Sequence, residues 1–319
     1  MELKEQFDLL LGDFEHLSPR IRHLSFDTDG CGERIEVRCS YLSFRDGVAT
    51  FDDFISVLSN HLIPFCLPRS EIQEAISNID PNDFVKSGIA MSQLSEKARG
   101  LFIKARKGSH RSGEGGEIVL YILNEWQLGA PQVVSKMYLK TNRNMPVYGS
   151  DGIHAKYDDT SKKLWIYWGE SKAYATLHGA LDAALASISK FRIENGEDRE
   201  IAIVSDHLDA DSWNAESREA LLAYLDPYNE QSNNRIPAYS CVLVFSFDYT
   251  LGGGTPAAEI EKKFIDHVKT EIANFIADIP KKIEAQKLID QRFEFFLVPV
   301  PNVQEFRDKF QEKIGWPND

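Results

Sequence analysis

Asp151, Glu170 and Lys172 stand in the segment GSDGIHAKYDDTSKKLWIYWGESK, which runs from Gly149 to Lys172. An acid beside a glycine is followed by an aromatic and apolar run, Leu164 to Trp168, that closes on Glu170-Ser171-Lys172. Side chains alternate along a strand, so Glu170 and Lys172 share a face and Ser171 takes the other. If the strand after Asp151 pairs with the one ending at Lys172, two carboxylates and an ammonium meet at one sheet end. Two hard carboxylate oxygens can hold Mg²⁺, or Mn²⁺ in its place, with water and a phosphate oxygen completing the shell. Such an ion lowers the pKa of a bound water and neutralises charge developing on a phosphate. Lys172 would orient or deprotonate that water. The same letters also occur on plain solvated strand edges, so the neighbouring elements must carry part of the argument.

Those elements can be read outward from the segment. Asp158-Asp159-Thr160-Ser161-Lys162 has the residues of a hairpin loop between two strands. Gly116 to Leu128 reads as a largely apolar helix, and Ala173 to Phe191 as a helix with Leu177, Leu181, Leu185 and Ile188 in one stripe. Ile201 to Val204, Tyr239 to Tyr249 and Arg292 to Val300 read as strands, and Val303 to Ile314 as a last helix. Ala257 to Lys287 is helical with a break near Pro280. Val133 to Leu139 reads as a strand that puts Lys136 and Lys140 on one face, beside the expected metal site. Lys140, Asn142, Arg143 and His154 are candidates for contact with a nucleic-acid backbone, with a hydrogen-bonded structural role as the alternative for His154.

Upstream, Phe7, Leu10, Leu11 and Phe14 have helical spacing, and Glu33 to Phe44 alternates as a strand. Thr50 caps a helix carrying Phe51, Phe54, Ile55 and Leu58, which Pro64 and Pro68 end. Helices follow from Ser70 and, unevenly, from Asp80 to near Lys107. The stretch Gly108 to Gly113 is small, basic and rich in Gly and Ser, which marks a linker. It divides the chain into an N-terminal α/β region, 1–107, and a core with a C-terminal α/β extension, 108–319. Three further stretches look chemical and read better as turns or loops. Asp27 to Gly32 opens like a calcium loop, yet Cys31 takes a ligand position and Arg38 stands where the bidentate Glu belongs. Ser205 to Asp211 collects turn formers, and Gly252-Gly253-Gly254-Thr255 lacks the lysine of a phosphate-binding loop.

A chain of 319 residues with 43% hydrophobic and 27% charged content can bury a substantial core. Its charged start shows no secretory signal and no stretch reaches the apolar length of a membrane span, so a cytoplasmic protein is expected. Cys31, Cys39, Cys66 and Cys241 are scattered without a CxxC pair, as in a reduced protein. The net charge of −13 counts against unaided tight binding of nucleic acid. Either a local basic patch, densest from Lys104 to Arg111, or a partner must bring the substrate.

Arg111-Ser112-Gly113-Glu114-Gly115-Gly116-Glu117 leads into a helix that precedes Gly149-Ser150-Asp151 and Gly169-Glu170-Ser171-Lys172. This order resembles the PD-(D/E)xK nuclease superfamily and, within it, the HamA family of the Hachiman antiphage defence system. The resemblance implies a restriction-endonuclease-like mixed α/β core, a central mixed sheet flanked by helices. It also implies a metal-dependent DNA endonuclease working with a HamB-like superfamily 2 helicase. Asp151, Glu170 and Lys172 match the superfamily triad. Glu117, with Glu114 as the rival, matches the helix acid, a third metal ligand. Read from the residues alone, Glu117 either aims inward, where a charge must be paired or metal-bound, or favours the helix dipole from the first turn. The residue before Asp151 is Ser150, where the superfamily's name has proline. Two other readings stay open: a non-catalytic adaptor for the helicase, which the net charge favours, and a nuclease directed at RNA.

Overall fold

A mixed sheet forms the middle layer of the computed structural model, which describes residues 2–28, 31–105, 114–140, 149–208, 212–250 and 256–316. Its strands begin with β1 (Ile21–Ser25) and β2 (Ile35–Leu42); β3 (Phe44–Arg45) and β4 (Val48–Ala49) form a separate small hairpin. β5 (Gly152–Asp158), β6 (Lys163–Tyr174), β7 (Arg235–Ser246) and β8 (Phe293–Val300) complete the sheet in the order β1-β2-β8-β7-β6-β5. β2, β8, β7 and β6 run parallel, and antiparallel β1 and β5 flank them. The helices of the N-terminal half are α1 (Leu3–Leu10), α2 (Phe51–Asn60), α3 (Leu62–Cys66), α4 (Arg69–Ser77), α5 (Phe84–Ala105), α6 (Glu114–Leu128) and α7 (Lys136–Lys140). Those that follow are α8 (Leu177–Ile193), α9 (Gly196–His207), α10 (Ala215–Leu225), α11 (Ala257–Ile276), α12 (Ile279–Ala285) and α13 (Val303–Ile314). The fold is therefore mixed α/β, with helices on both sides of the sheet, as the sequence led us to expect. β1 and β2 share the sheet with β5 to β8.

Register decides which residues meet which helix layer. Val37, Phe295, Cys241 and Glu170 lie side by side across β2, β8, β7 and β6. Registered neighbours share a face. α8 covers this face over β6 and β7, and Phe264 of α11 packs on Tyr41 with ring centres 5.4 Å apart. The opposite face carries Ser171, Val242 and Phe296, and α6 lies on it. The approach is close at Gly116, where a Cβ would come within 2.2 Å of Ser171 Oγ. Only glycine leaves room for that crossing. α6 is buried all round because α3 and α13 close over its far side, which suits its continuous apolar run from Ile118 to Leu123.

The β5–β6 hairpin has the expected turn. Asp158 accepts the Thr160 N–H at 3.0 Å and the Ser161 hydroxyl at 2.6 Å, and Lys162 takes a left-handed φ of 54°. Four expectations are corrected. Val133 to Leu139 is not a strand: Gln132 makes one bridge to His154 and the chain then turns into α7. Ile201 to Val204 lies in α9, where Gly196, Glu200 and Val204 form a buried stripe at four-residue spacing. The β-branched run looked like a strand because the stripe contains an acid. Pro64 sits inside α3 at its third residue, where its missing N–H would be unpaired anyway. β6 runs on to Tyr174, so the next helix starts at Leu177 rather than Ala173, with the Thr176 hydroxyl accepting the Gly179 N–H at 3.2 Å. The break expected near Pro280 falls at Ala277–Asp278, with Pro280 in the first turn of α12. Among the described residues no helix is long and apolar enough to cross a membrane.

The Gly108 to Gly113 linker, Asn142, Arg143 and the Gly252 to Thr255 loop lie outside the described residues, as do the side chains of Glu114 and Lys140. The same holds for parts of the Asp27 to Gly32 and Ser205 to Asp211 segments.

Candidate active site

β6 outruns β5 at the end where the acids sit. The ladder ends at the Gly152–Gly169 pair, extended by one bond from the Asp151 N–H to the Gly169 carbonyl at 2.7 Å. Beyond it the Ser171 N–H has no strand partner on that side, and Asp151 Oδ2 accepts it at 2.8 Å. That bond fixes the first carboxylate against the edge of β6. Glu170 lies opposite Asp151 on the same face, and Lys172 follows one pleat further along. The Lys172 ammonium donates to Glu170 Oε1, and Ser187 of α8 bonds the same carboxylate. The structure thus brings Asp151, Glu170 and Lys172 together under α8, as the alternation of the strand requires.

The electrostatics of this group are unbalanced. Two acids share one lysine, in a place where only 6% of Glu170 is exposed. Burial, and then the neighbouring Asp151 carboxylate, push the Glu170 carboxyl up to about 7, against the pull of Lys172. Burial also works against the charge on Lys172. Glu170 and Asp151 outweigh it, and the lysine pKa is raised. Cys241, beside Glu170 on β7, is fully buried, and its thiol is pushed up by burial and then by Glu170. A protonated thiol is a neutral wall here rather than a ligand.

Glu117 arrives differently. It is 3% exposed, in the first turn of α6, the helix that covers the Ser171 face. Among the described residues no three His, Cys, Asp or Glu side chains are gathered so as to hold a metal. His154 also faces α6. Its ring is 1% exposed, Nδ1 lies 2.9 Å from the Ala130 carbonyl, and burial lowers its pKa to about 4. The ring is thus packed inside, against the Ala130 carbonyl, rather than presented to solvent. Lys136, expected on a strand face beside the metal, is instead sealed in an ion pair with Glu200 of α9 at 2.6 Å.

Whether Mg²⁺ fits can be judged from the donors. Mg²⁺ keeps several waters and commonly takes one or two carboxylates plus substrate phosphate rather than an all-protein cage. Asp151 and Glu170 supply that number of hard oxygens, and the Glu170 carboxyl, raised by burial and then by Asp151, is one whose ionised form a cation would favour. The donor set fits the ion.

Sequence reasoning missed the Lys136–Glu200 pair and the Ser187 contact. Glu200 carried a usable signal: an acid at four-residue spacing between Gly196 and Val204 is a charge placed in an apolar helix face. No curated protein matches the chain. The family model of HamA matches residues 19–314. That match spans the sheet, the helices on both faces and the Asp151–Lys172 segment, and the chain belongs to the HamA family, a component of the Hachiman antiphage defence system.

Proposed function

We propose that this HamA-family chain is a Mg²⁺-dependent endonuclease that cuts DNA as the effector of a helicase–nuclease complex. The observation that carries the reading is the meeting of Asp151, Glu170 and Lys172 on one sheet face, with two acids sharing one lysine. Asp151 and Glu170 would hold Mg²⁺, which when bound stabilises the charge that develops on a phosphate during attack. Asp151 is kept in place by the Ser171 N–H, so its free oxygen is aimed without a rotamer search. Glu170 must give up its proton to bind a cation, and a carboxyl near 7 does so over the physiological range. Lys172 enters as an ammonium, its pKa raised by the two acids. It therefore suits orienting the attacking water and meeting a phosphate oxygen better than taking a proton.

The net charge of −13 supports a division of labour in which a helicase partner delivers the DNA. The same charge favours the second reading, an adaptor that binds the helicase without cutting. A two-acid, one-lysine set under a raised pKa is an unstable arrangement for a pure scaffold to retain, which weighs toward the enzyme. The deciding experiment is cleavage of supercoiled plasmid and of a matched single-stranded RNA by the purified chain, with and without its helicase, in Mg²⁺ or EDTA. Mg²⁺-dependent nicking of plasmid that Lys172→Met abolishes is the expected result. Intact plasmid in every lane, with the helicase still bound, would favour the adaptor; cleavage of RNA alone would redirect the substrate.

A further inference from the structure

Ser150 is held on every side. Its N–H donates to Glu200 Oε1 at 3.1 Å, and its carbonyl accepts from the Lys136 ammonium at 2.5 Å. Lys136 Nζ also lies 3.3 Å from Ser150 Oγ, which donates to the Gly152 carbonyl at 3.1 Å. The two charges meet at 2.6 Å, with side chains 2% and 1% exposed. The residue before is shaped to the same pair: Gly149 has a φ of 152°, and a Cβ there would fall 2.0 Å from Glu200 Oε1. The residue after is Asp151. Burying an ion pair for a loop is costly in desolvation, and hydrophobic residues of similar volume often do as well for stability. A pair that grips both backbone groups of one residue does something hydrophobic residues cannot.

We propose that the Lys136–Glu200 pair is a positioning clamp: by fixing the backbone of Ser150 it sets where the Asp151 carboxylate stands, and so sets the affinity of the site for its divalent cation. The proposal rests on the reading of Asp151 as a metal ligand. It also accounts for the serine at position 150. A proline there would have neither the N–H that Glu200 accepts nor the hydroxyl that bridges Lys136 and Gly152. Groups bonded to a metal ligand change metal affinity by about 10- to 100-fold when lost, and this clamp acts one residue further out, through the backbone of Ser150.

The test uses the full chain without nucleic acid. Mn²⁺ binding is read from the electron paramagnetic resonance of free Mn²⁺, and hydrogen exchange is read at the Ser171 amide, which donates to Asp151 Oδ2. The neutral double variant Lys136→Met with Glu200→Gln removes both charges together. It is expected to bind Mn²⁺ about tenfold or more weakly and to lose protection at Ser171, while amides of β7 stay protected. Wild-type Mn²⁺ affinity with wild-type Ser171 protection overturns the clamp. If the double variant loses protection throughout β7, Ser150→Ala takes its place. It keeps the ion pair and removes one bridge, and a severalfold weaker Mn²⁺ site is expected; unchanged affinity and protection overturn the proposal there as well. Asp151→Asn separates the two ideas. If it binds Mn²⁺ as wild type does, Asp151 is not a ligand, and the Ser171 amide alone then decides whether the pair positions residue 151.

Discussion

Two lysine–glutamate pairs lie close to Asp151, and they are built to opposite ends. Lys136 and Glu200 are sealed, balanced one to one, and both hold the backbone of Ser150. Lys172 and Glu170 are 24% and 9% exposed by side chain, and a third charge, Asp151, overloads them. The sealed pair is balanced in charge and shut away from solvent. The open pair holds an acid above its ordinary range and reaches solvent from the same face. Burial alone does not mark a functional charge. Imbalance at a place a ligand can reach does.

The largest effect expected from breaking the contrast is on chemistry. Glu170→Gln keeps the shape of the open site and removes one of two anionic donors. Plasmid cleavage should fall by about 10³-fold, comparable to losing a principal charge-stabilising group, while the urea midpoint stays level or rises. An unfolding free energy that drops by several kcal/mol with cleavage intact would make the open pair structural. The sealed pair should behave the other way. Lys136→Met alone leaves Glu200 as an uncompensated charge, 0% exposed, and should cost about 3 kcal/mol in urea unfolding. Adding Glu200→Gln should return much of that loss, since the buried charge goes with its partner. No recovery in the double variant would show that the two residues act separately.

How much of this could be read from the sequence follows the same division. The open site was legible because its logic is local: alternation puts Glu170 and Lys172 on one face, and the Asp158–Lys162 turn brings Asp151 opposite. The sealed pair was not. Lys136 and Glu200 stand far apart in the chain, and their neighbourhoods mislead, since Val133 to Leu139 and Ile201 to Val204 both have strand-like composition. The fold puts Lys136 and Glu200 on helices instead, and each helix aims its charge at the other. The place of Glu117 was also beyond local reasoning. A helix acid can be read from the first turn of α6, but which sheet face α6 covers depends on Gly116 fitting over Ser171.

The open pair makes a further prediction that the sealed pair does not, a dependence of stability on pH. A carboxyl at about 7 in the fold and at its ordinary 4.5 when unfolded binds its proton more tightly in the native state. Its contribution is therefore fully favourable below pH 4.5 and is lost as pH rises toward 7. At roughly 1.4 kcal/mol per unit, the loss over that window is about 3 kcal/mol. Urea unfolding of the metal-free chain between pH 5 and pH 8 should show this slope, and Glu170→Gln should flatten it.

Asp151→Asn gives the smallest and most diagnostic change. The amide oxygen of asparagine can still accept the Ser171 N–H, so the geometry of the edge is kept. What goes is the second anion beside Glu170, the larger of its causes after burial. The Glu170 carboxyl should then ionise at lower pH, and the metal-free variant should be about 1 kcal/mol more stable than wild type at pH 8. At pH 4, where Glu170 is protonated in both chains, that advantage should vanish. A gain that persists at pH 4 would have another source than the repulsion between the two acids. No gain at pH 8 would mean that Lys172 already balances them, and the contrast with the sealed pair would be lost.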